Sequence, residues 1–378
     1  MKAARQMRTM KLPLLRQTGL SLVEVMIALA IGMFLLLGLS SLLVANSQTS
    51  QELNKTGSQI ENGRFAIQLL SDDIHLAGFL GTYSPVGATW TIPDPCASAL
   101  ANLGFSNFSN VAAAVTVPVA VYGYVGADTL PTTCTSGGTP VISNRLAGTG
   151  VLVIRRVSTT SVAAASAPVA PYLQVSTCPD SLIDTVPLVF ATANANFTLR
   201  QRDCLSTNLA PAREYKVHIY YVSSCSDCGN DTIPTLKLAE FKNGAFTTSS
   251  VVEGIENMQL DYGIDMDGDG AVDCYTSNPT APPNKEVDPT LFPASACPQT
   301  ATPYVWSVPT TNWSNVMAVR VNLLARNLEP STGWVDNKNN RTYDMGLIGT
   351  IAATNDAYKR HVYSSVARLY NISGQREK

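Results

Sequence analysis

The residues best placed for chemistry lie in one short run, Asp265-Met266-Asp267-Gly268-Asp269-Gly270-Ala271-Val272-Asp273. Carboxylates stand at its first, third, fifth and ninth positions, with glycine at the sixth for a sharp turn. That is the oxygen-rich pattern Ca²⁺ takes at about 2.3–2.6 Å, with the Ala271 carbonyl as a further ligand. Position twelve is Thr276 instead of a bidentate glutamate, and no helical pattern flanks the run. An isolated calcium loop of modest affinity is therefore expected rather than an EF-hand. Its plainer alternative is an acidic β-turn, because Asp and Gly are preferred turn formers.

Eight cysteines follow a long apolar segment, at Cys96, Cys134, Cys178, Cys204, Cys225, Cys228, Cys274 and Cys297. An even number beyond a membrane segment favours disulfides, and eight allow 105 complete pairings. The Cys225-Ser226-Asp227-Cys228 pair offers two thiolates to a metal, but structural zinc needs four ligands. His218 is the nearest imidazole, and no second C-x-x-C exists. A thioredoxin-like role finds no support in its Ser-rich loop. His75, His218 and His361 are the three histidines, each expected at a helix or sheet surface. There is no H-E-x-x-H, G-x-S-x-G or Walker A run, so a non-enzyme is expected. A net charge of −2 excludes affinity for nucleic acid resting on clustered Lys and Arg.

The elements that must position these groups begin at the membrane. Lys2, Arg5, Arg8, Lys11 and Arg16 precede any acid, and Val25 to Ala45 is an uncharged run of 21 residues. At about 1.5 Å per residue, that run spans a bilayer core of roughly 30 Å, with the basic flank cytoplasmic and the remainder outside. Glu24 stands at its start, where a carboxylate costs a few kcal/mol and calls for a partner. A signal peptide cut near Ala45 would leave that glutamate unexplained.

Gly19-Leu20-Ser21-Leu22-Val23-Glu24, after the basic leader and before the apolar run, resembles the class III signal of type IV pilins and type II secretion pseudopilins. The resemblance implies that prepilin peptidase cuts between Gly19 and Leu20, that the Leu20 amine is N-methylated, and that Glu24 neutralises the Leu20 amine of a neighbouring subunit. Leu20 stands where phenylalanine is most common in such signals. Glu61-Asn62-Gly63-Arg64-Phe65-Ala66 and Ser71-Asp72-Asp73-Ile74-His75-Leu76-Ala77-Gly78-Phe79 narrow the resemblance to PilW-family minor pilins, relatives of the J-type pseudopilins. Segments GVLVIRRV, VVEGIENMQLDYGID, VMAVRVNLLAR and VYSSVARLYN are similar to landmarks of such chains, in the same order.

Leu53, Ile60, Ile67, Leu70, Ile74 and Ala77 recur at helical spacing. One helix from Leu20 to about Ala77 is expected, stopped by Gly78 and Gly81 and locally weakened at Gly57 and Gly63. Asp72, Asp73 and Arg64, taken singly, read as solvated helix residues. Residues 82–150 read as a loop-rich insertion. Strand signals follow at Val151 to Val157, Tyr215 to Val222, Leu236 to Phe241, Val251 to Tyr262, Val316 to Ala325 and His361 to Tyr370, and an antiparallel sheet is expected.

The expected fold class is α+β and pilin-like. A long N-terminal helix, half membrane and half amphipathic, packs on an antiparallel β-sheet head with disulfide-bonded loops. The expected divisions are a leader at 1–19, a transmembrane or fibre-core helix at 20–51, and an amphipathic helix and globular head at 52–378. By resemblance, the chain waits in the bacterial inner membrane with its head in the periplasm. It then joins the surface pilus beside other minor pilins, the major pilin and a tip adhesin, priming fibre growth at or near the tip. The alternatives are a J-type pseudopilin of type II secretion and an anchored or secreted calcium-dependent adhesin or hydrolase.

Overall fold

The computed structural model describes residues 19, 21–106, 115–126, 130, 134–136, 138–167, 169–281, 297 and 305–377. Chain contacts divide it into a segment up to Asn54 and a head from Lys55 to Lys378. Helix α1 runs over Leu22–Leu76 without a break at Gly57 or Gly63, and its Leu22–Val44 stretch exposes apolar side chains such as Leu29, Phe34 and Leu43. Gly78 ends the helix in the left-handed conformation, at φ 72°.

Within the head, the helix buries Gln59, Gly63, Ala66, Leu70, Asp73, Ile74 and Ala77, a stripe at spacings of three and four. Leu53 and Ile60 are exposed instead. The difference has a physical cause: small and polar residues bring the backbone close to the sheets. A Cβ on Gly63 would overlap the ring of Tyr363. Gln59 donates its amide to the carbonyls of Ala325 (2.8 Å) and Lys359 (3.1 Å), and Asn62 reaches the Glu253 carbonyl.

Two main antiparallel sheets form, where one was expected. In the larger, β1 (Val121–Tyr124), β2 (Val151–Val157), β3 (Tyr172–Val175), β4 (Leu188–Ala191), β5 (Ala212–Ser223), β6 (Thr235–Lys242) and β7 (Ala245–Glu253) pair in the order β7-β6-β5-β2-β1. Strand β3 joins β5 and carries β4. The smaller holds β8 (Ile255–Ile264), β9 (Cys274–Thr276), β10 (Val316–Arg326) and β11 (Arg360–Arg368), ordered β9-β8-β10-β11.

The run expected as one strand from Val251 to Tyr262 breaks at Gly254, whose φ of 79° sends β7 and β8 into different sheets. A side chain there would also press on the Arg326 carbonyl. The last strand stops at Arg368, and Tyr370–Ser373 forms a short helix, α2.

Alternation in the large sheet feeds two cores. Leu152, Ile154, Tyr220, Val222 and Leu236 join Leu70 and Ile74 of the helix and Val319, Val321 and Leu323 of the small sheet. Val151, Val153, Val217, Ile219 and Phe241 face the other way, onto Leu103, Phe105, Val115 and Val117. The described residues of 82–150 thus carry more regular structure than their loop-like composition implies. They supply both an edge strand and the cover of the second core.

Candidate functional site

At the amino-terminal signal, Gly19 is exposed, and the candidate cleavage and methylation residue Leu20 lies outside the described residues. Ser21 opens the helix. Its carbonyl accepts the Val25 N–H, and the Glu24 carboxylate reaches back to the Ser21 N–H at 3.0 Å. This is the return half of a capping box: an acid in the first turn satisfies a donor that has no partner within the helix. The carboxylate therefore sits at the helix start.

In the acidic loop, Asp265, Asp267 and Asp269 come together with one oxygen of each within 4.8 Å of the others. The buried Asp265 accepts the Gly268 N–H at 2.6 Å and the Gly270 N–H at 3.1 Å. Asp267 and Asp269 accept the N–H groups of Asp269 and Ala271. Asp273 stands apart, its Oδ2 holding the Met266 N–H at 2.6 Å. Arg376, near the carboxyl terminus, lies 3.2 Å from Asp265 Oδ2 and also binds Asn315 and the Ser314 carbonyl. The loop can present carboxylate oxygens to a divalent cation, and Arg376 already offsets part of their charge.

All eight cysteines are paired, each with its neighbour in sequence: Cys96–Cys134, Cys178–Cys204, Cys225–Cys228 and Cys274–Cys297. The three longer loops close over 38, 26 and 23 residues. In the chain-entropy account, each contributes roughly 3–4 kcal/mol. Cys274–Cys297 is anchored directly after the acidic loop. Cys96–Cys134 ties the segment that covers the second core.

Beneath the helix lies a charged cluster that the sequence pattern did not reveal. Asp73, read as solvated, is buried, as is His218, read as a surface histidine. Asp73 Oδ2 is 2.5 Å from His218 Nδ1 and accepts the Tyr220 hydroxyl at 3.0 Å, while Oδ1 accepts Arg156 Nε at 3.0 Å. On its far side, His218 Nε2 stands 3.5 Å from Glu240 Oε1, which Lys216 also binds at 2.9 Å.

Burial works against the Asp73 carboxylate, but the His218 hydrogen bond and charge, with Arg156, hold its pKa below the usual value. Burial likewise disfavours charged His218, and the Asp73 hydrogen bond and charge with the facing Glu240 carboxylate outweigh it, so the imidazole pKa is raised. The facing His218 imidazole and the Lys216 ammonium overcome burial at Glu240 and bring its pKa down to about 2. The cluster clamps the last turns of α1 to β2, β5 and β6. Only the alternation around His218-Ile219-Tyr220 could have placed these side chains on the helix-facing side.

The chain matches the model described as Type IV Pilus-assembly protein W over residues 219–371 and the prokaryotic N-terminal methylation motif over residues 14–40. The first covers the end of β5, the strands β6 and β7, and all four strands of the small sheet, and the second covers Gly19, Leu20, Glu24 and the start of the apolar helix. Among solved structures, it is similar to a type IV-like pilin from Thermus thermophilus. The identity is 15%, over 42% of this chain and 70% of that one, with a TM-score of 0.23. No curated protein is significantly similar to it. The methylation motif at the head of an exposed apolar helix, and the PilW model over the later strands of the head, mark the chain as a type IV pilin-like protein with a PilW region.

Proposed function

We propose that this pilin is a minor one, joining a small complex that primes type IV pilus growth at or near the tip. The observation that carries the reading is the size of the head, which runs from Lys55 to Lys378. A body with two main sheets, two main cores and four disulfides is bulky for the repeating subunit of a helical fibre, but a terminal position has room for it. The exposed apolar stretch Leu22–Val44 is long enough to cross the inner membrane before assembly and to pack among other subunits afterwards.

In this reading, prepilin peptidase releases the Leu20 amine, and the Glu24 carboxylate exchanges its own Ser21 N–H for the amine of an adjoining subunit. Opposite charges in so apolar a setting attract far more strongly than in water, so the pair sets axial register. The loop around Asp265, Asp267 and Asp269 is assigned a structural Ca²⁺, with the Ala271 carbonyl as a further ligand and Asp273 outside the set, on the Met266 N–H. The head is a binding surface for other minor pilins, the major pilin and a tip adhesin, with no catalytic role.

Mass spectrometry of sheared surface fibres tests the proposal. A peptide beginning at Leu20, with head peptides far less abundant than those of the major subunit, is expected. Head peptides confined to washed membranes, or present in proportion to the major subunit, would overturn it.

A further inference from the structure

The Cys225–Cys228 bridge differs from the other three disulfides in its company. Lys237 is 8% exposed on β6, on the face that also carries Ala239 and Phe241. Its ammonium donates to Cys228 Sγ at 3.5 Å and makes no ion pair among the described residues. A disulfide sulfur is a weak acceptor, and burying an ammonium is costly unless an anion faces it.

The nearby acid, Asp231, is committed elsewhere. Its two oxygens accept the N–H groups of Ser226 (2.8 Å), Asp227 (2.7 Å) and Ile233 (3.0 Å), which fold the loop. The bridge closes across only 3 positions, Cys228 is exposed, and Cys225 is 6% exposed. The Ser223 and Ser224 hydroxyls lie 3.7 and 3.8 Å from Cys225 Sγ.

From this geometry we infer that Cys225–Cys228 is a thiol–disulfide exchange site, with Lys237 as the counter-ion awaiting the Cys228 thiolate. The reductant is a dithiol. One of its thiolates attacks the exposed Cys228 Sγ, forming a mixed disulfide and expelling Cys225 as a thiolate, which the two serine hydroxyls solvate until it takes a proton. The second thiolate of the reductant then attacks its own sulfur in the mixed disulfide and releases Cys228. The dithiol leaves as a disulfide, having given up two electrons and two protons. One proton stays on Cys225, and the other goes to solvent, because Cys228 remains a thiolate beside the ammonium. Reduction thus places a thiolate directly against the buried ammonium, which in the oxidised chain has the Asp231 carboxylate in its field but no ion pair among the described residues. The C-x-x-C spacing alone carried no such reading, since the deciding lysine lies on the next strand.

The test titrates the full-length chain in detergent with graded ratios of reduced to oxidised dithiothreitol, followed by alkylation and mass spectrometry of each cysteine pair. Cys225–Cys228 should open at a ratio at least ten-fold lower than any of the other three bridges. Lys237→Met should raise the ratio required about ten-fold, and Lys237→Arg should restore most of the difference. The pH midpoint of Cys228 alkylation should lie below that of an ordinary thiol and move up to about 8.5 in Lys237→Met. Opening of this bridge together with or after the others would overturn the inference, and that comparison needs no substitution. An unchanged ratio in folded Lys237→Met would overturn it as well.

Discussion

Gly63 of the helix lies flush against the ring of Tyr363 on the edge strand β11, and any side chain at Gly63 would enter that ring. A glycine that costs a free helix about 1 kcal/mol relative to alanine here admits the contact between helix and small sheet.

Gly63→Ala should therefore lower stability by roughly 1–2 kcal/mol, overpacking outweighing the gain in helix propensity. The sign should reverse in a Tyr363→Ala background, where only the propensity gain remains. Urea unfolding of the four members of this double-mutant cycle, followed by circular dichroism in detergent, measures both effects. A loss of the same size in both backgrounds would refute the contact.

The Asp73–His218–Glu240 cluster predicts a bounded pH range. His218 has a raised pKa when folded, so its contribution is complete below the unfolded value of about 6.5 and disappears as pH rises through the folded one. Asp73 and Glu240 have lowered pKa values, so theirs is complete above about 4 and disappears as pH falls, for Glu240 toward about 2. Stability should be greatest at about pH 4.5–6.5. His218→Gln should flatten the alkaline decline, and Asp73→Asn should cost roughly 3–5 kcal/mol by stranding buried cations. Thermal unfolding from pH 3 to 9 reads both, and a decline of equal steepness in His218→Gln would exclude the histidine as its source.

These two relationships show where the sequence was readable and where it was not. The long apolar helix, its stop at Gly78 and most of the strands follow from local pattern: apolar run, left-handed glycine, β-branched alternation. The buried stripe of the helix did not follow, because its members include Gln59, Gly63 and Asp73, which carry no apolar signal. What buries them is close approach and charge pairing with residues 83 to 300 positions away. The two-sheet arrangement rests on one backbone angle at Gly254, inside a run of otherwise uninterrupted strand character. In the acidic loop, the order of the carboxylates was plain from sequence, whereas the Arg376 contact from the far end of the chain was not.

Calcium binding at that loop is expected to be saturable. Calorimetric titration of the full-length chain with CaCl₂ should give a one-site isotherm that is lost in Asp267→Ala, with Mg²⁺ far weaker because it demands a tighter octahedral shell. A flat trace for the unaltered chain would leave the run as an acidic turn held by Arg376.

At the amino terminus, substitution of Gly19 should block processing, so that the chain retains Met1 to Gly19 and stays in the membrane. Glu24→Ala should be processed and folded but recovered poorly in fibres, at a tenth or less of the unaltered amount if the pair is worth about 1.4 kcal/mol. Immunoblots of membrane and sheared-fibre fractions distinguish the two. Normal incorporation of Glu24→Ala would remove the register role.

The central claim, that this pilin primes assembly, is tested most directly by counting surface pili on cells that lack the gene, beside a complemented strain. Few or no pili, restored by complementation, is the predicted result. Normal numbers of pili on the deletion strain would contradict it.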